Sequence, residues 1–223
     1  MLQKKSKKII IYFFLLFIFG SINNISLSKV ELYSVKNINL SGLSELESKS
    51  LLYEINRLNL ANIFNLNEKK INNLIQSNPR IEKYNIFKKY PSTIDIEIKK
   101  TTYLARLNYK GELMLIGSNG KLSKYDNKIN MLPIIFGNPD IEEFLKFKEA
   151  IDRSKFSYKN IQNLYFYPSK RWDIKFKDDT LIKLSKNYTT ESLNNVHQFL
   201  KSLNKNKFLI IDARIKNQII LND

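Results

Sequence analysis

The sequence predicts an α+β chain in three parts: an amino-terminal membrane-anchor helix, a small domain in the order β-α-α-β-β, and a mostly antiparallel β domain with two helices. Three observations predict it. Four lysines precede an unbroken apolar run. Two capped helical patterns precede a pair of strands hinged at Tyr90-Pro91-Ser92. Beyond Lys100, helical periodicity becomes rare and short alternating strands take over. A chain of 223 residues has room for one or two domains and a sizeable core.

The anchor comes first. Lys4, Lys5, Lys7 and Lys8 precede Ile9 to Phe19. As a helix that run spans about 17 Å, against about 30 Å of hydrocarbon. By length it fits the hydrophobic part of a signal peptide, but Gly20-Ser21-Ile22 is a poor cleavage match. Extending the helix to Leu27 gives about 29 Å, and takes in Ser21, Asn23, Asn24 and Ser26. An uncleaved anchor over 9–27 and a cleaved signal both stay open. Either exports the rest of the chain, and the lysines keep residues 1–8 on the cytoplasmic side. Ile9, Phe13, Leu16 and Phe19 are the candidate anchor contacts.

Leu32 to Leu40 reads as a strand with Val35 and Ile38 inward, broken at Ser41-Gly42. Ser44 and Glu47 fit a capping box, and Leu52, Ile55 and Leu58 give the helix that follows one apolar stripe. Asn67 can cap a second helix bearing Ile71, Leu74 and Ile75, stopped by Pro79. The strand pair follows within Asn78 to Lys99. In its second strand Ile94, Ile96 and Ile98 alternate with Asp95, Glu97 and Lys99, the pattern of a half-buried sheet. Two helices covering one face of three strands is the expected layering.

After Lys100, Leu113 to Ile116 and Lys121-Leu122 flank Ser118-Asn119-Gly120, a hairpin signal because Asn-Gly tolerates positive φ. Leu132 to Gly137 reads as an edge or entry strand because of Pro133. Asp140 caps a helix to about Arg153 with Phe144, Phe147 and Ile151 inward. Leu164 and Phe166 mark a strand, then Trp172, Ile174 and Phe176, then Thr180, Ile182 and Leu184. A helix carries Leu193, Val196, Leu200 and Leu203 on one face. Phe208 to Ile211 and Ile215 to Leu221 close the chain as strands.

The chemistry of enzymes is hard to find. The chain has no cysteine and one histidine, His197, so neither a disulfide nor a His/Cys metal cluster nor a Cys-His pair is expected. Asp178-Asp179 reads as a turn, and Gly117-x-x-Gly120 as a hairpin without the helix start a phosphate loop needs. No catalytic, cofactor-binding or metal residue is expected. The net charge of +16 invites a nucleic-acid reading. The charge comes from 31 lysines beside 27 asparagines and 30 isoleucines, residues with AT-rich codons, while Arg numbers 6. Readers of nucleic acid lean on arginine for bidentate contacts, so no nucleic-acid partner is expected. What remains is a protein built to be touched. An open sheet edge offers free N–H and C=O groups to which a partner adds a strand. The last strand, Ile215 to Leu221, is the candidate edge.

The order of fragments resembles the bacterial division protein family FtsQ/DivIB, and the first domain resembles a POTRA module. The resemblance rests on Val35 to Gly42, Asn62 to Leu66, Ile81 through Tyr90-Pro91, and Thr93 to Ile98. It continues with Asn119-Gly120, Leu132 to Gly137, Trp172 to Phe176, and Ile211-Asp212-Ala213-Arg214. Departures are Lys99-Lys100-Thr101-Thr102 where the family has an acidic residue, and Asp178-Asp179 where glycine is usual. Ile215 stands directly after Arg214, where some relatives carry aromatic residues. The resemblance implies a POTRA-like domain over 33–101 and a β domain over 102–223. It implies a non-enzymatic septal scaffold linking early and late division proteins, with the coiled-coil proteins FtsB and FtsL and other divisome members as partners. It places a single-pass chain in the inner membrane at the septum, amino terminus cytoplasmic and bulk periplasmic. Arg214, Ile215, Asn217 and Ile219 are the candidate partner contacts on the β domain, Arg214 by pairing with an acidic residue. Either Ile215 and Ile219 meet a partner or they face the domain's own core. Ile86 and Lys88 are the candidates on the small domain. The alternative is a POTRA-type envelope export or assembly factor that binds peptides as a chaperone.

Overall fold

The computed structural model describes residues 3–22, 34–60, 62–64, 66–127, 129, 131–203, 209–215 and 218–222. Helix α1, Gln3–Ile22, starts inside the lysine cluster rather than at the apolar run. Lysine is a good helix former, so nothing in the cluster delays the start. Ile9, Phe13, Leu16 and Phe19 lie on it, all exposed. Among the described residues no helix is long and apolar enough to cross a membrane. The lysines are part of the helix and dilute it, and residues 23–27 of the expected span over 9–27 lie outside the described residues.

The chain divides into two compact units, one from residues 1–74 and 85–97, the other from residues 75–84 and 98–223. In the first, β1 (Asn37–Ser41) begins later than the sequence suggests and half-buries Ile38 and Leu40. Helix α2, Glu45–Asn56, starts as the capping box requires: the Ser44 amide donates to Glu47 Oε2 at 3.0 Å and the Ser44 hydroxyl at 2.6 Å. Its buried stripe is Leu51 and Ile55, with Leu52 and Leu58 half-buried. The expected stripe of Leu52, Ile55 and Leu58 is thus rotated by one residue, because spacing four meets the sheet here rather than spacing three. Helix α3, Glu68–Ser77, ends before Pro79.

Strands β2 (Ile81–Lys89) and β3 (Thr93–Lys100) complete a three-stranded sheet in the order β1-β3-β2. Strand β1 runs parallel to β3, with Ile38 opposite Ile94 and Leu40 opposite Ile96. Ile94, Ile96 and Ile98 are buried, as the alternation requires. Burial along β2 alternates the other way from the expected docking face. Ile86 and Lys88 are half-buried and Lys88 pairs with Glu68 of α3 at 2.7 Å, while Lys83, Asn85, Phe87 and Lys89 are the exposed set. Ile86 and Lys88 thus share the half-buried face of β2, an outer strand of the sheet.

The second unit holds one nine-stranded sheet in the order β12-β11-β10-β9-β8-β7-β4-β5-β6. Strands β4 (Tyr103–Tyr109) and β5 (Glu112–Gly117) turn at Lys110-Gly111, with φ of 53° and 87°. Strands β5 and β6 (Leu122–Lys124) turn at the expected Asn-Gly, but only Gly120 takes positive φ. Asn119 uses its side chain instead: Nδ2 donates to the carbonyls of Pro79 at 2.9 Å and Ile81 at 2.8 Å, and Oδ1 accepts from the Lys121 amide.

Strand β7 (Ile134–Phe136) is not an edge. It runs parallel to β4 on one side and to β8 (Ile161–Phe166) on the other. Pro133 is tolerated because it precedes the strand and needs only its carbonyl, which accepts from the Arg106 amide at 2.9 Å. Gly137 then turns the chain at φ +96°, where a Cβ would lie 2.1 Å from the Phe166 carbonyl oxygen. Helix α4 (Ile141–Asp152) connects β7 to β8, and helix α5 (Thr190–Ser202) connects β10 (Leu181–Leu184) to β11 (Ile210–Ala213). These helical crossovers make β7–β8 and β10–β11 parallel within a sheet that is otherwise mostly antiparallel. The core is the face they cover. Trp172 of β9 (Trp172–Phe176) stacks on Phe147 at 4.4 Å, and Ile174, Ile182 and Ile211 lie in the same cluster as Phe144, Leu193 and Val196. Phe166 packs on Trp172 at 4.8 Å, so the aromatic residues around Leu164 serve packing.

Candidate functional site at the carboxyl-terminal sheet edge

Strand β12, Ile220–Asn222, is the outer strand of the large sheet and pairs antiparallel with β11, Ile220 opposite Asp212. The expected edge strand over Ile215 to Leu221 is thereby shortened. Ile215 sits in the bend before it, 57% exposed. Ile219 packs half-buried against the domain core, the second of the two alternatives left open for it. Asn217 lies outside the described residues. Ile220 and Leu221, which the sequence reading passed over, are 38% and 37% exposed on the edge itself.

Inward from that edge, strand alternation and register build a row of charges. Lys183 of β10 lies opposite Asp173 of β9 on one side and Asp212 of β11 on the other. Since Ile174, Ile182 and Ile211 face the helices, these three point to the other face. Both ends are closed by arginine. Arg171 Nε donates to Asp173 at 3.2 Å. Arg214 Nε donates to both carboxylate oxygens of Asp212, at 2.8 and 2.9 Å, and its backbone amide donates to Oδ1 at 3.1 Å. Tyr167 lies under Arg171, 4.1 Å from ring centroid to guanidinium carbon.

The two carboxylates differ. Hydrogen bonds from Arg214 hold the Asp212 carboxyl below its ordinary range. Burial pushes the Asp173 carboxyl up, against the pull of Arg171, Tyr167 and Lys183. Arg214 is thus already committed to Asp212 rather than waiting for a partner's acid. The bond holds the guanidinium at the root of the edge strand with its side chain still 46% exposed. Sequence reasoning missed Arg171, Asp173 and Lys183. Alternation within each strand puts them on the wet face, but only the pairing register brings them into one row. Among the described residues, no cluster of three or more His, Cys, Asp or Glu is placed to hold a metal. His197 is half-buried, edge-on to Phe156 at 5.1 Å.

A POTRA domain of the FtsQ type matches residues 33–100, and the carboxyl-terminal domain of cell division protein FtsQ/DivIB matches residues 105–214. This chain belongs to the FtsQ/DivIB family of cell division proteins. Cell division protein DivIB of Staphylococcus aureus is 25% identical over 141 residues, which cover 62% of this chain and 32% of that protein. Cell division protein FtsQ of Rickettsia bellii is 23% identical over 204 residues, 83% of this chain and 71% of that protein. Cell division protein FtsQ of Rhizobium meliloti is 20% identical over 154 residues, 68% and 50% of the two chains. The matched part of this FtsQ/DivIB chain spans only 32% of the staphylococcal protein. The site just described, from Arg171 to Arg214, lies inside the matched carboxyl-terminal domain, and β12 lies beyond its end, from Ile220.

Proposed function

We propose that this protein is a non-enzymatic scaffold of the division septum, linking early and late division proteins by taking a partner's strand onto β12. The observation that supports this reading is the open edge itself: an outermost strand with exposed Ile220 and Leu221, preceded by exposed Ile215 and an oriented Arg214. An incoming strand gains main-chain hydrogen bonds from the edge and apolar contact from the three side chains. The charge row behind it offers register through paired acids and bases. The partners are coiled-coil division proteins of the FtsB and FtsL kind. Helix α1 is the anchor: its lysines stay at the cytoplasmic surface and its exposed apolar residues meet lipid, which leaves both compact units on the periplasmic side.

The test is a pull-down of an FtsB–FtsL coiled coil by the full chain carrying Ile215→Asp with Ile220→Asp. Both residues are exposed, so the fold stays intact by circular dichroism while capture falls at least about tenfold. Unchanged capture sinks the edge reading. A fluorescent fusion gives a midcell band at division; a uniform envelope signal argues against the septal role.

A second reading, peptide binding of the export-factor kind, is favoured by one feature of the first unit. Val35, Ile38, Ile55 and Leu60 line a groove of ≈ 360 Å³ beside β1, an outer strand of the small sheet. Capture of unfolded envelope proteins at sites other than the septum supports that reading over the scaffold.

A further inference from the structure

The nine-stranded sheet has a second concave site, on its helix-covered face. It measures ≈ 570 Å³, within the range of sites that hold a ligand or an anchoring side chain. Phe156, Phe176 and Leu200 form its apolar part, with His197 beside them. Phe156 meets Phe176 at 5.2 Å and the His197 ring edge-on at 5.1 Å. Lys155, Lys177 and Lys201 stand around the mouth, with Asp178 the one acid among the lining residues. Three cations to one anion surround an aromatic floor.

Both walls are held in place by hydrogen bonds. On one side the Lys155 amide donates to Asn194 Oδ1 of α5 at 2.7 Å, and the Ser154 hydroxyl donates to the Ile151 carbonyl at 2.7 Å. On the other, the Lys177 amide donates to the Asn160 carbonyl, and the Phe176 amide to the Thr180 carbonyl, each at 2.9 Å. Asp179 closes that turn at φ 63°. The hollow needs little ordering when something enters it, which lowers the entropic cost of binding.

We propose that this hollow is a docking site for an acidic peptide segment that inserts one aromatic or aliphatic side chain. The apolar floor takes the side chain and the lysines pair with carboxylates on either side of it. The cations are lysines on three separate segments. Mobile point charges suit carboxylates spread along a chain, whereas a single phosphate is gripped best by a rigid arginine fork. The site is independent of β12: it opens on the helix-covered face, while the Asp173–Lys183–Asp212 row lies on the other, and it stands whether or not the edge takes a strand.

The chain supplies its own reporter. His197 is the only histidine, so its Cε1 proton is a single resolved signal at the hollow. The full chain in non-ionic detergent is titrated with a capped pentapeptide of one phenylalanine between pairs of glutamates. The expected result is a saturable shift of the His197 signal. Replacing the peptide's phenylalanine by alanine removes saturation. Lys177→Gln with Lys201→Gln weakens the Phe peptide about fivefold, as two rim ion pairs would. Lys124→Gln with Lys146→Gln, which do not line the hollow, leaves it unchanged. The proposal is overturned by an unmoved His197 signal, by equal shifts from the alanine peptide or from sulfate alone, or by equal weakening from the two lysine pairs.

Discussion

Asp95 in the small sheet and Asp173 in the large one are both strand carboxylates set against a basic side chain, yet their surroundings oppose each other. Asp95 lies near water, accepts from Asn39 at 2.8 Å and pairs with Lys89. Those bonds hold its carboxyl below the usual range, Lys89 first. Asp173 is 2% exposed and sits beneath Arg171, with Lys183 opposite, and burial outweighs all its partners to push its carboxyl up. Asp212 stands between them: nearly buried, but held low because Arg214 grips both oxygens. The comparison teaches that the partner's geometry and the depth of burial, not the residue type, decide whether a strand carboxylate favours its charged form.

The largest break comes from removing the partner of the deepest acid. Arg171→Ala leaves Asp173 charged and poorly paired in the sheet, at about 2–4 kcal/mol by chemical denaturation. Adding Asp173→Asn to that variant recovers most of the loss. A double variant no better than the single would show that Arg171 acts through packing on Tyr167 instead.

Next, Asp212→Asn lowers stability at neutral pH by about 1–2 kcal/mol. The sign follows from the depressed carboxyl. The stabilisation is complete above the ordinary value of 3.8 and is lost as pH falls through the lower folded value. The variant and the native chain therefore converge in strong acid, as melting temperatures between pH 7 and pH 2 would reveal.

Asp173→Asn alone has a smaller effect of the opposite sign. A carboxyl raised in the folded state disfavours folding when charged, and that cost is relieved as pH falls through the raised value towards 3.8. The amide is neutral at every pH, so the variant matches or exceeds the native chain at pH 7, within about 1 kcal/mol. A clear loss at pH 7 refutes the burial argument. Smallest of all, Asp95→Asn leaves the melting temperature unresolved from native in 0.5 M salt, since the exposed pair is screened.

Parts of this architecture could be read directly from residues. Phe144, Phe147 and Ile151 on a helix capped by Asp140 are buried as their spacing requires, and so are Ile94, Ile96 and Ile98. Such patterns are local, and local periodicity is what a sequence displays. Strand β4 escaped notice because its turn is Lys110-Gly111, which lacks the asparagine that usually marks positive φ. For Leu132 to Gly137 the missing Pro133 amide allows an edge or an entry strand; β7 lies inside the sheet, and the proline stands at its entry, one residue outside the ladder. At the candidate site, the terminal position of Ile215 to Leu221 singles out the segment, and β12 is the part of it that pairs as a strand. For Ile219 the sequence leaves both sides open, because alternation cannot tell where a short strand begins.

The sequence by itself determined the start of α2, the inward faces of α4 and α5 and the strand hinge at Tyr90-Pro91, because each depends on neighbours a few residues away. Tertiary structure alone decided which strands lie side by side. Lys183 meets Asp173 and Asp212 through pairing with β9 and β11, and β11 arrives only after the α5 crossover. Strand β12 is an edge because, among the described residues, no strand lies beyond it in the sheet order. Register and strand order are set by long-range packing, whose partners lie far apart along the chain, and that is why the charge row and the docking edge emerged only in three dimensions.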